Sequence, residues 1–303
     1  MSAGPLVSVA IPAYNERFFP AALASALAQT YPALEIVVCD DSPGDAIERA
    51  VREARDPRLR YFRNPQRLGF EGNFGECLAR ARGELMKFLN DDDRLRPHCV
   101  SGLAAGFQLD SRITLATSRR VVIDEEGKPL PHIAATAAVA HVASVMGGRE
   151  LGDFVLVNSL NFIGEPTTAM FRRRDLEPEA GGIFTWGGRS LHCLADLALW
   201  LRLLARGWAF YQPAPLSELR LHPGQQQRLP GMDIACLEER LPLLRQARGA
   251  GFLANGAHAV AAFSRVREFA ATWLGQPLET AQRARLDALL AELGAELAAL
   301  QAA

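Results

Sequence analysis

The segment FLNDDDRLRP (residues 88–97) sets three adjacent carboxylates, Asp91, Asp92 and Asp93, directly after an apolar run. Like charges side by side repel one another. Such a cluster is either a solvated turn opening a helix or a site for something cationic. Three further polar clusters follow apolar, β-branched runs: Tyr14-Asn15-Glu16, Asp40-Asp41-Ser42, and Asn64 with Arg67. Asp, Asn and Ser favour turns, which accounts for each cluster singly. It does not account for paired carboxylates in two of them. Grouping Asp40, Asp41, Asp91 and Asp92 around one crevice is unfavourable unless a cation or a set of donors occupies it. Glycine-based phosphate chemistry is absent: GFEGNFG (69–75) is not GxGxxG, and no Walker loop occurs. Carboxylates dominate the loops instead. That suits a divalent ion with oxygen ligands, Mg2+ or Mn2+, bridging to phosphate.

These residues need elements to bring them together. LVSVAIP (6–12), LEIVVCDD (34–41), LRYFRNP (59–65) and ELMKFL (84–89) read as strands. Between them FFPAALASALAQT (18–30), the stretch from Asp45 to Ala54, and FEGNFGECLARARG (70–83) read as helices, and Pro97 suits the first position of another. Strand and helix in turn, with short connections, predict an α/β fold: a Rossmann-type, mostly parallel sheet with helices on both faces. In open sheets of this kind ligands bind outside the carboxyl ends of the strands. All four polar clusters fall at such ends, which favours binding over four unrelated turns.

Bulk properties exclude other classes. The 303 residues are 49% hydrophobic and 22% charged, an ordinary globular composition, and a net charge of −1 gives no electrostatic case for nucleic acid. Cys39, Cys77, Cys99, Cys193 and Cys236 are odd in number without CxxC spacing, which predicts reduced thiols rather than disulfides or zinc. The first residues lack a basic and apolar leader, and no run of 18 apolar residues occurs, so a cytoplasmic protein, or one peripheral at the inner membrane, is expected.

Read in order, VSVAIPAYNE, LEIVVCDDSPGD, the stretch from NPQRLGF to NDDDRLRP, IGEPTTAMFRR (163–173), LADLALWLRLLARG (194–207) and LSELRLHPGQQQ (216–227) resemble a family-2 inverting glycosyltransferase of the GT-A fold. The resemblance covers roughly residues 5–227. It implies a nucleoside held by Pro12, Tyr14, Asn15, Glu16 and one or both of Asp40 and Asp41, with Arg67 and Asn90 on the same rim. Asn90 stands where many members carry the first Asp of DxD. The resemblance puts a ribose contact on Asp91 and a metal ligand on Asp92, supported by Asp93. It places the catalytic base at Asp196, although Ala195 replaces the Glu that many members have before it. Leu197, Trp200, Leu201 and Leu204 form one apolar helical face, leaving Asp196 near the helix N-terminus, where the dipole favours an ionised carboxylate. An ordinary N-terminal helix acid is the competing reading.

Arg220 and His222, two apart on a strand, would share a face and meet the diphosphate, and Pro223-Gly224 suits a loop closing over the donor. Glu165 and Trp186 are the acceptor-side candidates, Glu165 as the next choice of base and Trp186 as a stacking platform or simple packing. The expected organisation is a donor half (1–110), an acceptor-binding half (111–227) and a C-terminal helical region (228–303). In the last, Leu286, Leu289, Leu290, Leu293, Leu297 and Leu300 make a stripe that either packs on the chain or forms a homo-oligomer seam. The partners implied are a UDP-, dTDP- or GDP-linked sugar and a glycan, lipid-linked or other hydroxyl acceptor. A sugar-nucleotide nucleotidyltransferase would need a basic, Gly-rich first loop, which PAYNERFF is not. A non-catalytic sugar-nucleotide binder is separated from the enzyme only by assay.

Overall fold

The computed structural model describes residues 4–177, 179–225 and 232–302. Strands β1 (Val7–Ala13), β2 (Leu34–Asp40), β3 (Leu59–Arg63) and β4 (Leu85–Phe88) alternate with helices α1 (Phe19–Leu27), α2 (Ala46–Ala54) and α3 (Gly69–Arg80). Next come β5 (Arg94–Leu95), α4 (Cys99–Leu109), β6 (Ile113–Ile123), β7 (Ser144–Gly147), α5 (Gly148–Asn158) and β8 (Met170–Arg172). A small hairpin of β9 (Thr185–Trp186) and β10 (Arg189–Ser190) precedes α6 (Ala195–Leu204) and β11 (Trp208–Arg220). Helices α7 (Met232–Gly249), α8 (Gly256–Ala271) and α9 (Thr280–Ala302) end the chain. Pro97 does not open α4. Its carbonyl accepts from the Thr30 amide, and the helix starts at Cys99.

The main sheet has the order β3-β2-β1-β4-β8-β6-β11-β5, with β7 beside β11. β1, β2, β3 and β4 pair in parallel, as do β6 and β11, while β8, β5 and β7 run antiparallel to their neighbours. β1 and β2 are buried along their whole length, as strands covered by helices on both faces must be. Their alternate residues feed separate cores. Val9, Ile11, Ile36 and Val38 pack with α1, α2 and α4, whereas Ala10, Val37 and Cys39 pack on the opposite face. That second core is continuous through Phe171 and Trp200 to Leu241 and Leu297 in the C-terminal helices.

One sequence expectation is corrected here and one open choice is decided. Cys193 and Cys236 form a disulfide, with Cα atoms 5.1 Å apart across 43 residues, while Cys39, Cys77 and Cys99 are free and buried. The pairing depends on how α7 docks against the segment before α6, which Cys spacing does not encode. The leucine stripe packs within the chain. Leu286, Leu289, Leu293 and Leu297 are buried in the chain's own core, and α9 packs on α7 and α8, which is the first of the two readings of the stripe. Among the described residues no helix is long and apolar enough to cross a membrane.

Candidate active site

The register brings the carboxyl ends of the first strands to one edge: Ala13 pairs with Asp40, and Asp40 with Arg63. Beyond that edge lies a cleft of about 680 Å³. Its walls include Pro12, Tyr14, Asn15, Asp41, Arg67 and Asn90, together with Glu165, Asp196 and His222.

Adjacent acids divide their work. Asp40 is fully buried and accepts from the Ser42 amide (2.8 Å), the Tyr61 hydroxyl (2.7 Å) and Arg63 (2.8 Å), which fastens β2 to β3. Burial, then the bond to Asp40, pushes the Tyr61 hydroxyl up to about 12. Asp41 turns the other way, accepting from the Leu68 and Gly69 amides (2.8 Å each) at the start of α3 and from Asn64. Those amides have no partner within the helix, so the carboxylate completes its N-terminus. Of the pair, only Asp41 lines the cleft. Glu16 lies away from the cleft, its carboxylate packed so closely on Gly44 that a Cβ there would sit 2.2 Å from Oε1. Arg67 stacks on the Tyr14 ring at 4.5 Å, forming an exposed cationic lip.

The acidic triplet separates in the same way. Asp91 accepts from the Tyr14 and Asn15 amides at 2.5 and 2.6 Å, locking the first loop to the fourth strand end. Burial, then the charge of Asp92, raises its carboxyl to about 6. Asp92 faces the cleft, with its Oδ2 3.1 Å from His222 Nε2. Asp93 is turned into the core, where it accepts from the Thr167 hydroxyl (2.6 Å) and the Arg220 amide (2.9 Å), and burial pushes its carboxyl well up. It is not placed to ligate an ion in the cleft. Arg220 departs from expectation too. Its guanidinium donates to the carbonyls of Asp92, Asp124 and Glu125 and lies over Phe18, so it braces loops instead of facing a diphosphate. β11 ends at Arg220, which frees His222 from the strand's alternation. Pro223-Gly224 forms a turn there, and Gln226 and Gln227 of the motif lie outside the described residues.

A metal's fit can be judged from these donors. Asp92 and His222 offer a carboxylate and an imidazole in contact, and Asn90, which lines the same cleft, has a buried Oδ1 without a hydrogen-bond partner. This set suits Mn2+ or Mg2+ with its remaining positions filled by phosphate and water. Among the described residues no three His, Cys, Asp or Glu side chains converge as a full cage.

Asp196, which lines the same cleft, sits in the first turn of α6, accepting from Asn161 Nδ2 at 2.9 Å. Burial, then the nearby Glu165 charge, raises its carboxyl to about 7. Glu165 is ion-paired at 2.6 Å with Arg120, whose side chain is 1% exposed. The helix stands where it does because Trp200 donates to the Gly164 carbonyl at 2.8 Å. Gly164 has φ of +101° and no room for a Cβ, since Thr168 lies 2.7 Å away. Trp186 is not in this cleft: it is buried on β9 and lines a second cavity of about 660 Å³ with α7 and α9. Sequence reasoning missed Asn161, Arg120 and Asn73. Asn73 donates from α3 to the Ala13 and Cys39 carbonyls, tying two strand ends together. It also missed Phe70, whose ring stacks on Phe184 at the cleft wall. The contacts that tie them to the site reach partners distant in sequence: Asn161 to Asp196, Arg120 to Glu165, Asn73 to Ala13 and Cys39, and Phe70 to Phe184.

Residues 8–178 match the family model described as Glycosyl transferase family 2. An uncharacterized protein of Mycobacterium tuberculosis (strain CDC 1551 / Oshkosh) is 34% identical over 225 residues, 72% of this chain and 68% of that protein. The Escherichia coli UDP-Glc:alpha-D-GlcNAc-diphosphoundecaprenol beta-1,3-glucosyltransferase WfgD is 37% identical over 89 residues, 29% of this chain and 35% of its own. Thus the chain matches only about a third of the length of that named enzyme. In three dimensions the S. aureus TarS 1–349 structure in complex with UDP-GlcNAc superposes with a TM-score of 0.69 at 14% identity, over 96% of this chain and 81% of that one. The likeness to TarS establishes the fold. The family match, which spans more than half of the chain, establishes that this chain is a glycosyltransferase belonging to glycosyl transferase family 2.

Proposed function

We propose that the protein transfers a sugar from a uridine-diphosphate donor to a hydroxyl group of a lipid-linked saccharide, with inversion at the anomeric carbon. The carrying observation is that Asp196, with its carboxyl raised to about 7, shares one cleft with Asp91, Asp92 and His222. A base poised near neutral pH takes a proton most effectively there. Two similar proteins support the substrate classes: WfgD is named for UDP-Glc and a diphosphoundecaprenol-linked sugar, and TarS was crystallised with UDP-GlcNAc.

In this reading Tyr14, Asn15, Asp41 and Arg67 hold the nucleoside, and Asp91 keeps the first loop in place through its two amide bonds. Asp92, His222 and Asn90 would hold a divalent cation, which when bound supplies Lewis-acid neutralisation of diphosphate charge. Asp196 accepts the proton of the attacking hydroxyl, Asn161 fixes its carboxylate, and Phe70 and Phe74 screen the donor end from water. A single displacement of this kind inverts the anomeric centre.

The test is UDP release from UDP-glucose and UDP-GlcNAc with and without Mn2+, in the wild type and in Asp196→Asn. The amide keeps size and polarity but cannot accept the proton. Expected are Mn2+-dependent turnover in the wild type, and in the variant intact UDP binding without turnover. Near-normal turnover in Asp196→Asn would remove it as the base.

A further inference from the structure

The segment before α6 is held from outside its own element. Three successive backbone amides, His192, Cys193 and Leu194, donate to the Glu239 carboxylate of α7 at 2.8, 2.9 and 2.9 Å. Leu194 is the N-cap of α6 and makes no side-chain cap bond, and its own amide, left without a partner inside the helix, is satisfied by this carboxylate from a distant helix. Charge-assisted bonds of this kind are stronger than neutral ones. Cys236, three residues before Glu239 on the same face of α7, is disulfide-bonded to Cys193. On the other side Glu71 of α3 accepts from Ser190 and pairs with His192 at 2.9 Å. Upstream lie Gly187 and Gly188, both at positive φ, the two-residue turn of the β9–β10 hairpin. His192 and Cys193 line the cleft, and Asp196 follows two residues after Leu194.

We infer that Glu239 and the Cys193–Cys236 disulfide are positioning elements for Asp196, so that the C-terminal helices hold the base in register with the donor end of the cleft. The inference rests on Asp196 being the base. A carboxylate aimed by one hydrogen bond and one helix N-terminus cannot hold its place if that terminus shifts. Misplacement of about 1 Å costs on the order of 100-fold in rate. Because α7 lies beyond residues 8–178, this clamp is a feature of the present chain outside the matched segment.

Two variants test it in the full chain. Glu239→Gln keeps the size but has one oxygen for three amides, and Cys236→Ser removes the disulfide. Each is compared with wild type and Asp196→Asn for UDP release from the UDP-sugar, for UDP affinity by calorimetry, and for amide hydrogen exchange. Expected in both are turnover lowered by roughly 10- to 100-fold, unchanged UDP affinity, and faster exchange confined to residues 192–197. Wild-type exchange at 192–197 in both variants overturns the clamp, whatever the rates. Loss of UDP affinity alongside turnover overturns it as well, since the effect would then be general. If Asp196→Asn keeps turnover, the assignment of the base fails instead, while the exchange result still decides whether Glu239 holds the segment.

Discussion

Two neighbouring carboxylates with opposite surroundings make a sharp contrast at the scale of residues. Asp92 faces the cleft beside His222, whereas Asp93 is 1% exposed and accepts from Thr167 and Arg220. Asp92→Ala should therefore leave the melting temperature near wild type and abolish the Mn2+ dependence of UDP binding, measured by calorimetry. Asp93→Ala should destabilise the protein by about 1–3 kcal/mol, because it strands buried donors. Equal effects on Mn2+-dependent binding from the two variants would contradict this division. Asp196 carries a pH signature. Its carboxyl titrates near 7 in the folded protein against 3.8 for an unperturbed aspartate, so the folded state binds the extra proton between those values. Its contribution to stability is complete below 3.8 and is lost as pH rises to about 7. Asp196→Asn removes that loss. The variant's melting temperature relative to wild type should rise between pH 5 and pH 8 and level off above. Activity should follow the opposite sense, with the basic form gained through pH 7.

Among the elements, α5 and α6 meet at a contact that tolerates only glycine. A Cβ on Gly148 would lie 2.1 Å from the Leu204 carbonyl oxygen and 2.2 Å from that of Gly207, and the Gly148 amide donates to the latter. Backbone oxygens cannot rotate aside as a side chain can. Gly148→Ala should thus cost about 1–3 kcal/mol, the usual range for overpacking, and lower the melting temperature. Since α6 carries Asp196, the same variant should also slow UDP release more than it weakens UDP binding. Unaltered stability would show that the α5–α6 junction yields more readily than this contact implies.

For the whole molecule, the C-terminal helices are part of the core that supports the cleft. Leu286, Leu289, Leu293 and Leu297 close the same apolar cluster that contains Phe171 and Trp200. Truncation after residue 276 would remove these side chains and bare their partners on α7 and α8. Each buried leucine contributes roughly 1.5–3 kcal/mol, and a protein's net stability is only about 5–15 kcal/mol. The truncated chain should aggregate or melt far earlier, as seen by light scattering and calorimetry. A soluble truncated monomer with wild-type melting would show that α9 is dispensable.

The sequence by itself determined the alternation of strands and helices over the first hundred residues, the strand ends at which polar clusters gather, and Asp196 as a first-turn acid on α6. These follow from local causes: side-chain period, turn chemistry and helix-start signals act within a few residues. Only the tertiary structure decided that Asp41 rather than Asp40, and Asp92 rather than Asp93, faces the cleft, since Tyr61, Arg63, Thr167 and Arg220 claim the other two. It likewise turned Arg220 to backbone carbonyls, moved Trp186 to a second cavity, and joined Cys193 to Cys236. The physical reason is common to all of these. The direction of each of these side chains is set by the partner it meets in the folded chain. Here the partners lie from about twenty to well over a hundred residues away, beyond the reach of any local pattern.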